Sequence, residues 1–286
     1  MRCNLINIIN NPGGKPGFSL NGRMGVSMSK ILEVVPFFYY YVSMIVIFLL
    51  IFFGFKRRSD STKLKVLYLL CIIDFPLYII NDYYFLKRGD NILTMLPLQL
   101  CNIAVFMIPL ALILKKRVLY DFIFYVCALG AFIALIIPSS DYLGQTYSFM
   151  TISFFIFHSI IVITPFLLAG WGLYIPTPTI KNVVRLSVAI FIIALFMHLL
   201  NLAIGKWFGV ETDYFFTIIK YSAPRNPAFE LFSKIIPVDL IYLLPGLLIL
   251  WIYIPLISLP WNVKKWFNKA NITLPRNETQ KRKKRL

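Results

Sequence analysis

Charged residues are scarce in this chain. Only 14% of its 286 residues are charged, against about 25% in a typical soluble domain. Hydrophobic residues make up 59% of the chain, and the mean hydropathy is +0.75. This balance excludes an ordinary soluble enzyme. Apolar runs of about twenty residues recur, and that length crosses a bilayer. The sequence therefore predicts an all-α, polytopic integral membrane protein.

Histidine and cysteine are also few. With only two histidines, a three-histidine zinc site is excluded, although two histidines with Asp74 or Cys101 remain an open alternative. The cysteines show no CxxC spacing, so neither a disulfide framework nor a structural zinc site is expected. Neither a glycine-rich phosphate loop nor a cleaved signal peptide is recognisable. We therefore expect no metal and no cofactor.

Seven apolar runs are bounded by charged residues, proline or glycine, and each predicts a transmembrane helix. The predicted spans cover residues 36–55, 64–86, 95–114, 118–138, 148–170, 183–204 and 238–259. They form one seven-helix domain at 36–259, with a polar extension at 1–35 and a basic tail at 260–286. The connection at 205–237 is long for a compact bundle, and such loops are often functional.

Basic residues are distributed unevenly between the two sides of the predicted bundle. Of the 29 Lys and Arg residues, 19 fall on the side of the C-terminus. The positive-inside rule therefore predicts a cytoplasmic C-terminus and an N-terminus outside, in the plasma membrane if the source is bacterial. No recognition helix or stacking platform accompanies the net charge of +17. The basic tail is thus expected to bind anionic lipid rather than nucleic acid.

Polar side chains within the spans lie mostly toward the outer side. At about 1.5 Å per residue, Cys101 and His198 each lie about 9 Å below the outer edge, and His158 about 15 Å. Asp74 lies near mid-membrane, and Asp239 opens the last span on the same side. Because intramembrane polar groups are costly, we expect a polar cavity open to the outside. Depth favours His198 over His158 as the partner of the thiol, but spacing alone leaves both open.

A cysteine beside a histidine can catalyse acyl transfer. The imidazole accepts the thiol proton, and the thiolate attacks an ester carbonyl to form a thioester. One alternative is a membrane transporter with Asp74, His158 and His198 as a relay, although an odd number of spans without a repeat does not favour it. The other is a structural membrane protein whose polar residues hold the bundle together.

The stretch Leu96 to Asn102, LPLQLCN, resembles the signature LPLHLC of the YwaF-type family of seven-helix integral membrane proteins. His158 stands at the position of the family's His-Gly pair. Asn201 and the stretch Asp213 to Phe216 are similar to the region after the family's sixth span. The resemblance covers residues 64–259.

The resemblance implies an activity. An animal branch of the family is known as a cysteine-dependent acyltransferase that makes ether phospholipids, and its fold is related to a membrane hydrolase that uses a threonine with a histidine. By this resemblance Cys101 is the acyl-accepting nucleophile and His158 the catalytic histidine. Gln99 replaces the signature histidine and Asn102 also departs from the pattern, yet both can orient substrate or stabilise an oxyanion.

We therefore expect a phospholipid acyltransferase or transacylase, or a related lipid ester hydrolase, whose substrate is a phospholipid or lysophospholipid. Asp74 is expected to hold His158 in its productive tautomer if the second and fifth spans are neighbours. The residues expected to support Cys101 and His158 are Gln99, Asn102, Asp74, His198, Asn201 and Asp239.

Overall fold

A computed structural model describes residues 37–138 and 147–273, with side chains except those of Arg225 and residues 263–273. Throughout these ranges the regular structure is helical and includes no strand, which confirms the all-α prediction. The predicted N-terminal extension lies outside the described residues, as does the end of the basic tail.

Eight helices of more than two turns are described. They are α1 Phe38–Phe55, α2 Asp60–Arg88, α3 Leu100–Leu114, α4 Arg117–Ile136, α5 Phe149–Gly170, α6 Ile180–Phe208, α7 Pro227–Ile235 and α8 Leu244–Thr273. A π-helical turn, Ile123–Cys127, interrupts α4. Among the described residues, six helices are long and apolar enough to cross a membrane, namely all but α3 and α7. The chain is therefore an integral, multi-pass membrane protein.

The predicted third span, 95–114, is helical only from Leu100 onward, so its predicted start is wrong. Pro97 has no N–H group and disfavours a helical conformation for the residue before it. The 15 residues of α3 extend about 22 Å, which is less than the hydrocarbon thickness of about 30 Å. Helix α3 by itself is therefore too short to cross this layer.

The bundle is organised around α5, which packs against α1, α2, α3 and α4. Trp171, just after α5, donates a hydrogen bond to the carbonyl of Phe52 near the end of α1. Trp261 of α8 donates to the carbonyl of Ala169. We call this side, where α1, α3 and α5 end, the Asp121 end, and the opposite side the Asn201 end. Helix α6 packs against α8 and the turn Tyr214–Phe216.

A buried ion pair at the Asp121 end joins α4 to α6. Asp121 is fully buried; its Oδ2 accepts a hydrogen bond from Arg185 at 2.5 Å, and its Oδ1 accepts one from Tyr174 at 2.5 Å. Burial raises the pKa of Tyr174, so its hydroxyl remains a donor. The expectation of few polar side chains toward this side of the bundle is thus wrong. The sequence clue was an acidic residue inside the apolar run 118–138.

Candidate functional site

Three of the predicted site residues lie at similar distances from the ends of their own helices at the Asp121 end. At about 1.5 Å per residue from the helix ends at the Asp121 end, Asp74 is about 21 Å along α2, Cys101 about 20 Å along α3 and His158 about 18 Å along α5. Helix α5 packs against both α2 and α3, so the three residues lie on neighbouring helices. His198 lies about 27 Å along α6 by the same measure. Measured from this end, His158 is nearer than His198 to the value for Cys101, whereas depth from the outer edge of the predicted spans favoured His198.

Cys101 is the second residue of α3. Its side chain is half-buried and lies within electrostatic range of Asp74 and Cys127. The first N–H groups of a helix have no intrahelical acceptor, and its dipole favours a negative charge at that end.

A close approach of α4 fixes the turn that carries Cys101. A Cβ atom at Gly130 would lie 2.6 Å from Leu100 Cδ2, a separation that real Cβ contacts do not show. Glycine therefore allows α4 to pack directly on the first residue of α3. The position of the thiol depends in part on this contact.

His158 is held in one tautomer by its own helix. Its Nδ1 lies 2.9 Å from the carbonyl oxygen of Phe154, and a carbonyl oxygen can only accept. In the neutral ring Nδ1 therefore carries the hydrogen, and Nε2 retains its lone pair. The ring is 7% exposed and packs on Phe154 and Phe157. The carbonyl of Phe154, rather than Asp74, orients this histidine.

Several buried polar atoms lack a partner among the described residues. Asp74 is 2% exposed, and its Oδ1 makes no hydrogen bond there. The same holds for Asn81 Oδ1, Ser153 Oγ and His198 Nδ1. Buried polar groups are normally hydrogen-bonded, so each exception needs an explanation. These four atoms lie toward the Asn201 end, whereas a fifth, Arg185 Nε, lies at the Asp121 end. Within the described part of the chain, no three His, Cys, Asp or Glu side chains are placed to hold a metal.

Gln99 connects the start of α3 to the loop after α6. Its Nε2 donates to the carbonyl of Asp213 at 2.9 Å, and its Oε1 accepts from the N–H of Phe215 at 3.1 Å. Buried backbone groups outside regular helices need such partners. The side-chain amide is thus engaged with the loop backbone. In this arrangement Gln99 positions Cys101 two residues later.

Tyr214 makes a second connection between the chain before α3 and the loop after α6. Its hydroxyl donates to the carbonyl of Leu93 and accepts from the N–H of Leu96 at 3.1 Å. Burial raises the pKa of Tyr214, so the hydroxyl keeps the proton that it donates. The non-helical chain before α3 is therefore held by a residue far along the sequence.

Asn201 on α6 anchors this loop with all of its hydrogen-bonding capacity. Its Nδ2 donates to the carbonyl of Tyr214 and to Thr217 Oγ1, both at 3.0 Å. Its Oδ1 accepts from Thr212 Oγ1 at 3.0 Å and from the N–H of Tyr214 at 2.9 Å. The side chain is 2% exposed. Asn201 therefore stabilises the loop that binds Gln99, and it does not act on the thiol directly.

Replacing Asn201 with alanine should lower the free energy of unfolding by about 2 kcal/mol, because buried loop groups lose their partners. Equilibrium unfolding in detergent measures this loss. Asn102→Ala is the matched control, since Asn102 makes no hydrogen bond with the described residues, and we expect little change. Equal losses in the two variants would contradict the anchoring role.

The remaining predicted residues lie in different places. Asn102 follows Cys101 in the first turn of α3, and its side chain is half-buried. Asp239 is exposed before α8, where its Oδ1 accepts from the N–H of Ile219 at 2.8 Å. Asn102 is thus adjacent to Cys101 along the chain, whereas Asp239 caps the one-turn helix Ile219–Ser222.

Comparison with known proteins supports the membrane assignment. The family model described as "TMEM164 family" matches residues 26–256, which include every site residue discussed above. Neither the curated proteins nor the solved structures contain a match. Because the family model covers most of the described bundle, the chain belongs to the TMEM164 family of membrane proteins.

Proposed function

We propose that this protein is a phospholipid acyltransferase or transacylase, in which Cys101 carries the acyl chain and His158 moves the proton. The observation that supports the proposal is that Cys101, His158 and Asp74 lie on three neighbouring helices, each about 18–21 Å from its helix end at the Asp121 end by helical rise. The resemblance of residues 96–102 to the YwaF-type signature supplies the reaction class.

The reaction proceeds through two balanced transfers. His158 Nε2 accepts the proton of the Cys101 thiol, and Sγ attacks the carbonyl carbon of a phospholipid ester. The ester C–O bond breaks, and the leaving lysophospholipid oxygen takes the proton from the imidazolium. The hydroxyl of a second lysophospholipid then gives its proton to His158 and attacks the thioester. This attack restores the thiol and releases the new phospholipid.

The first turn of α3 offers donors for the tetrahedral oxyanion. The N–H groups of Leu100, Cys101 and Asn102 precede the first helical hydrogen bond, which Ile103 donates to Gln99, and the side-chain amide of Asn102 is on the same turn. Fixed donors of this kind stabilise the charge that develops in acyl transfer. The unpartnered Asp74 Oδ1 suits a hydroxyl group of the incoming lipid. Gln99, Asn201 and His198 support the surrounding structure in this proposal.

The proposed topology has seven crossings, with the N-terminus outside and the C-terminus in the cytoplasm. Helix α3 and the non-helical chain before it form the third crossing. Cys101, about 20 Å from the Asp121 end of α3, then lies about 10 Å below the outer face of a 30 Å hydrocarbon layer. A lipid that enters sideways between helices brings its glycerol ester close to this depth.

Intact-mass measurement of the detergent-purified protein tests the proposal directly. After incubation with mixed phospholipids, the wild type should gain the mass of a fatty acyl group, and hydroxylamine should remove it because a thioester is labile. Cys101→Ser should gain none. Cys127→Ser is the matched control, since this thiol lies on α4 and is fully buried, and it should be acylated like the wild type.

Two results would contradict the proposal. One is an adduct that persists in Cys101→Ser. The other is the absence of any adduct in the wild type together with an unchanged lipid profile when His158 is replaced.

A further inference from the structure

A cavity of about 330 Å³ lies at the Asp121 end of the bundle, between the α3–α4 turn and the segment after α5. Lys115 and Arg117 line one wall, and Gly172 and Ile175 line the other. Cys101 is at the opposite end of α3, about 21 Å from Lys115 by helical rise. The cavity is therefore separate from the proposed acyl-transfer site.

Arg117 is held in place at this cavity. Its Nη2 donates to the carbonyl of Ile175 at 3.2 Å and to Thr177 Oγ1. Its guanidinium carbon lies 5.9 Å from the centre of the Tyr174 ring. These partners are neutral, and the guanidinium has further N–H groups to donate. Lys115 makes no hydrogen bond or ion pair with the described residues, so its ammonium is also uncompensated.

The acidic residue near the cavity does not neutralise these charges. Asp121 Oδ2 is 4.0 Å from Arg117 Nε but only 2.5 Å from Arg185 Nη2. Its other oxygen accepts from Tyr174. Since Arg185 balances Asp121, Lys115 and Arg117 leave a local excess of positive charge.

The backbone around the cavity also favours the binding of an anion. Helix α4 begins at Arg117, so its unpaired N–H groups and the positive end of its dipole lie at the same place. Gly172 has a φ of +78°, and a Cβ there would meet nothing within 4 Å. This part of the wall is therefore open backbone that a bound group can approach closely.

We propose that this cavity binds the phosphate group of an anionic ligand, through Lys115, Arg117 and the start of α4. Basic pockets between helices at the cytoplasmic face are typical binding sites for anionic headgroups, and guanidinium and ammonium groups are the usual partners of phosphate. The phosphate can belong to a lipid headgroup or to a soluble phosphate, and the experiment distinguishes these sources. The inference does not depend on the activity proposed for Cys101.

Binding to the full-length protein in detergent tests this site. The probes are dioctanoyl phosphatidic acid, inorganic phosphate and, as a zwitterionic control, dioctanoyl phosphatidylcholine, each followed by the shift in thermal unfolding. Lys115→Gln removes an exposed charge that has no described partner. Lys116→Gln is the matched control, because it removes the same charge from the neighbouring residue, which does not line the cavity.

We expect phosphatidic acid to bind the wild type and Lys116→Gln equally, and Lys115→Gln about tenfold more weakly, as for the loss of one charged hydrogen bond. Competition by inorganic phosphate at similar concentration would identify the free anion as sufficient, whereas its failure to compete would identify a lipid headgroup. Equal losses of affinity for phosphatidic acid in both lysine variants would overturn the proposal, because they would indicate a non-specific attraction between the lipid and the positively charged surface. Equal binding of phosphatidylcholine would overturn it as well.

Discussion

Replacing His158 with glutamine is expected to slow thioester formation at Cys101 by roughly 10²- to 10⁴-fold, the usual contribution of a general base. Nε2 is the only ring nitrogen available as a base, since Nδ1 is engaged with the carbonyl of Phe154. Glutamine retains a side-chain N–H for that carbonyl but offers no basic nitrogen. The single-turnover rate of acyl-adduct formation, followed by intact mass, measures the effect.

His198→Gln is the matched control for this experiment. His198 lies about 9 Å farther along its helix than His158 does along α5, and α6 packs on α8 and the Tyr214–Phe216 turn. We expect the rate of acyl-adduct formation in His198→Gln to stay within a few-fold of the wild-type rate. The assignment of the base is wrong if His198→Gln loses the larger share of the rate, or if the two variants lose the same share.

Replacing Asp121 with alanine should lower the free energy of unfolding by about 3 kcal/mol, because removing one partner of a buried pair leaves the other charge without compensation. The figure is at the lower end of the usual range because Arg185 is 35% exposed and keeps some contact with its surroundings. Tyr174 also loses its acceptor. Unfolding in detergent with increasing denaturant measures the change.

Asp60→Ala provides a comparison with an exposed ion pair. Asp60 pairs with Lys63 at 3.0 Å, but its side chain is 72% exposed. Exposed pairs contribute at most about 1 kcal/mol, so this variant should differ little from the wild type. Losses of the same size in Asp121→Ala and Asp60→Ala would show that the buried network does not stabilise the bundle.

Helices that depend on a continuous apolar run were predictable from the sequence. The predicted spans 36–55 and 148–170 agree with α1 and α5 to within two residues at each end, because charge and the Ser148 cap mark their limits locally. The sixth helix is longer at both ends than its predicted span, 183–204. Helix α6 begins after its cap at Thr179 and continues to Phe208 before Gly209 ends it in a left-handed conformation, so polar helical turns extend beyond the apolar run.

The beginning of α3 was not predictable from local pattern. Its non-helical approach is held by Gln99 and Tyr214, whose bonds join residues 114 and 121 positions apart. For the same reason the Asp121 network was missed, since Arg185 is 64 positions from its partner. The candidate pair Cys101 and His158 came from the family resemblance. The ends of α3 and α5 from which their distances are measured coincide with the predicted ends of the third and fifth spans, but the packing of α3 against α5 could not be predicted from local pattern.

The link between Gln99 and the loop after α6 has a consequence for biogenesis. The chain emerges at about 5–20 residues per second, so the 114 positions between Gln99 and Asp213 take about 6–23 s to synthesise. Throughout that interval the turn before Cys101 lacks the loop groups that later bind it, and the 15 residues of α3 are short for independent membrane insertion. The segment that carries the proposed nucleophile therefore reaches its final place late, after translation has passed α6.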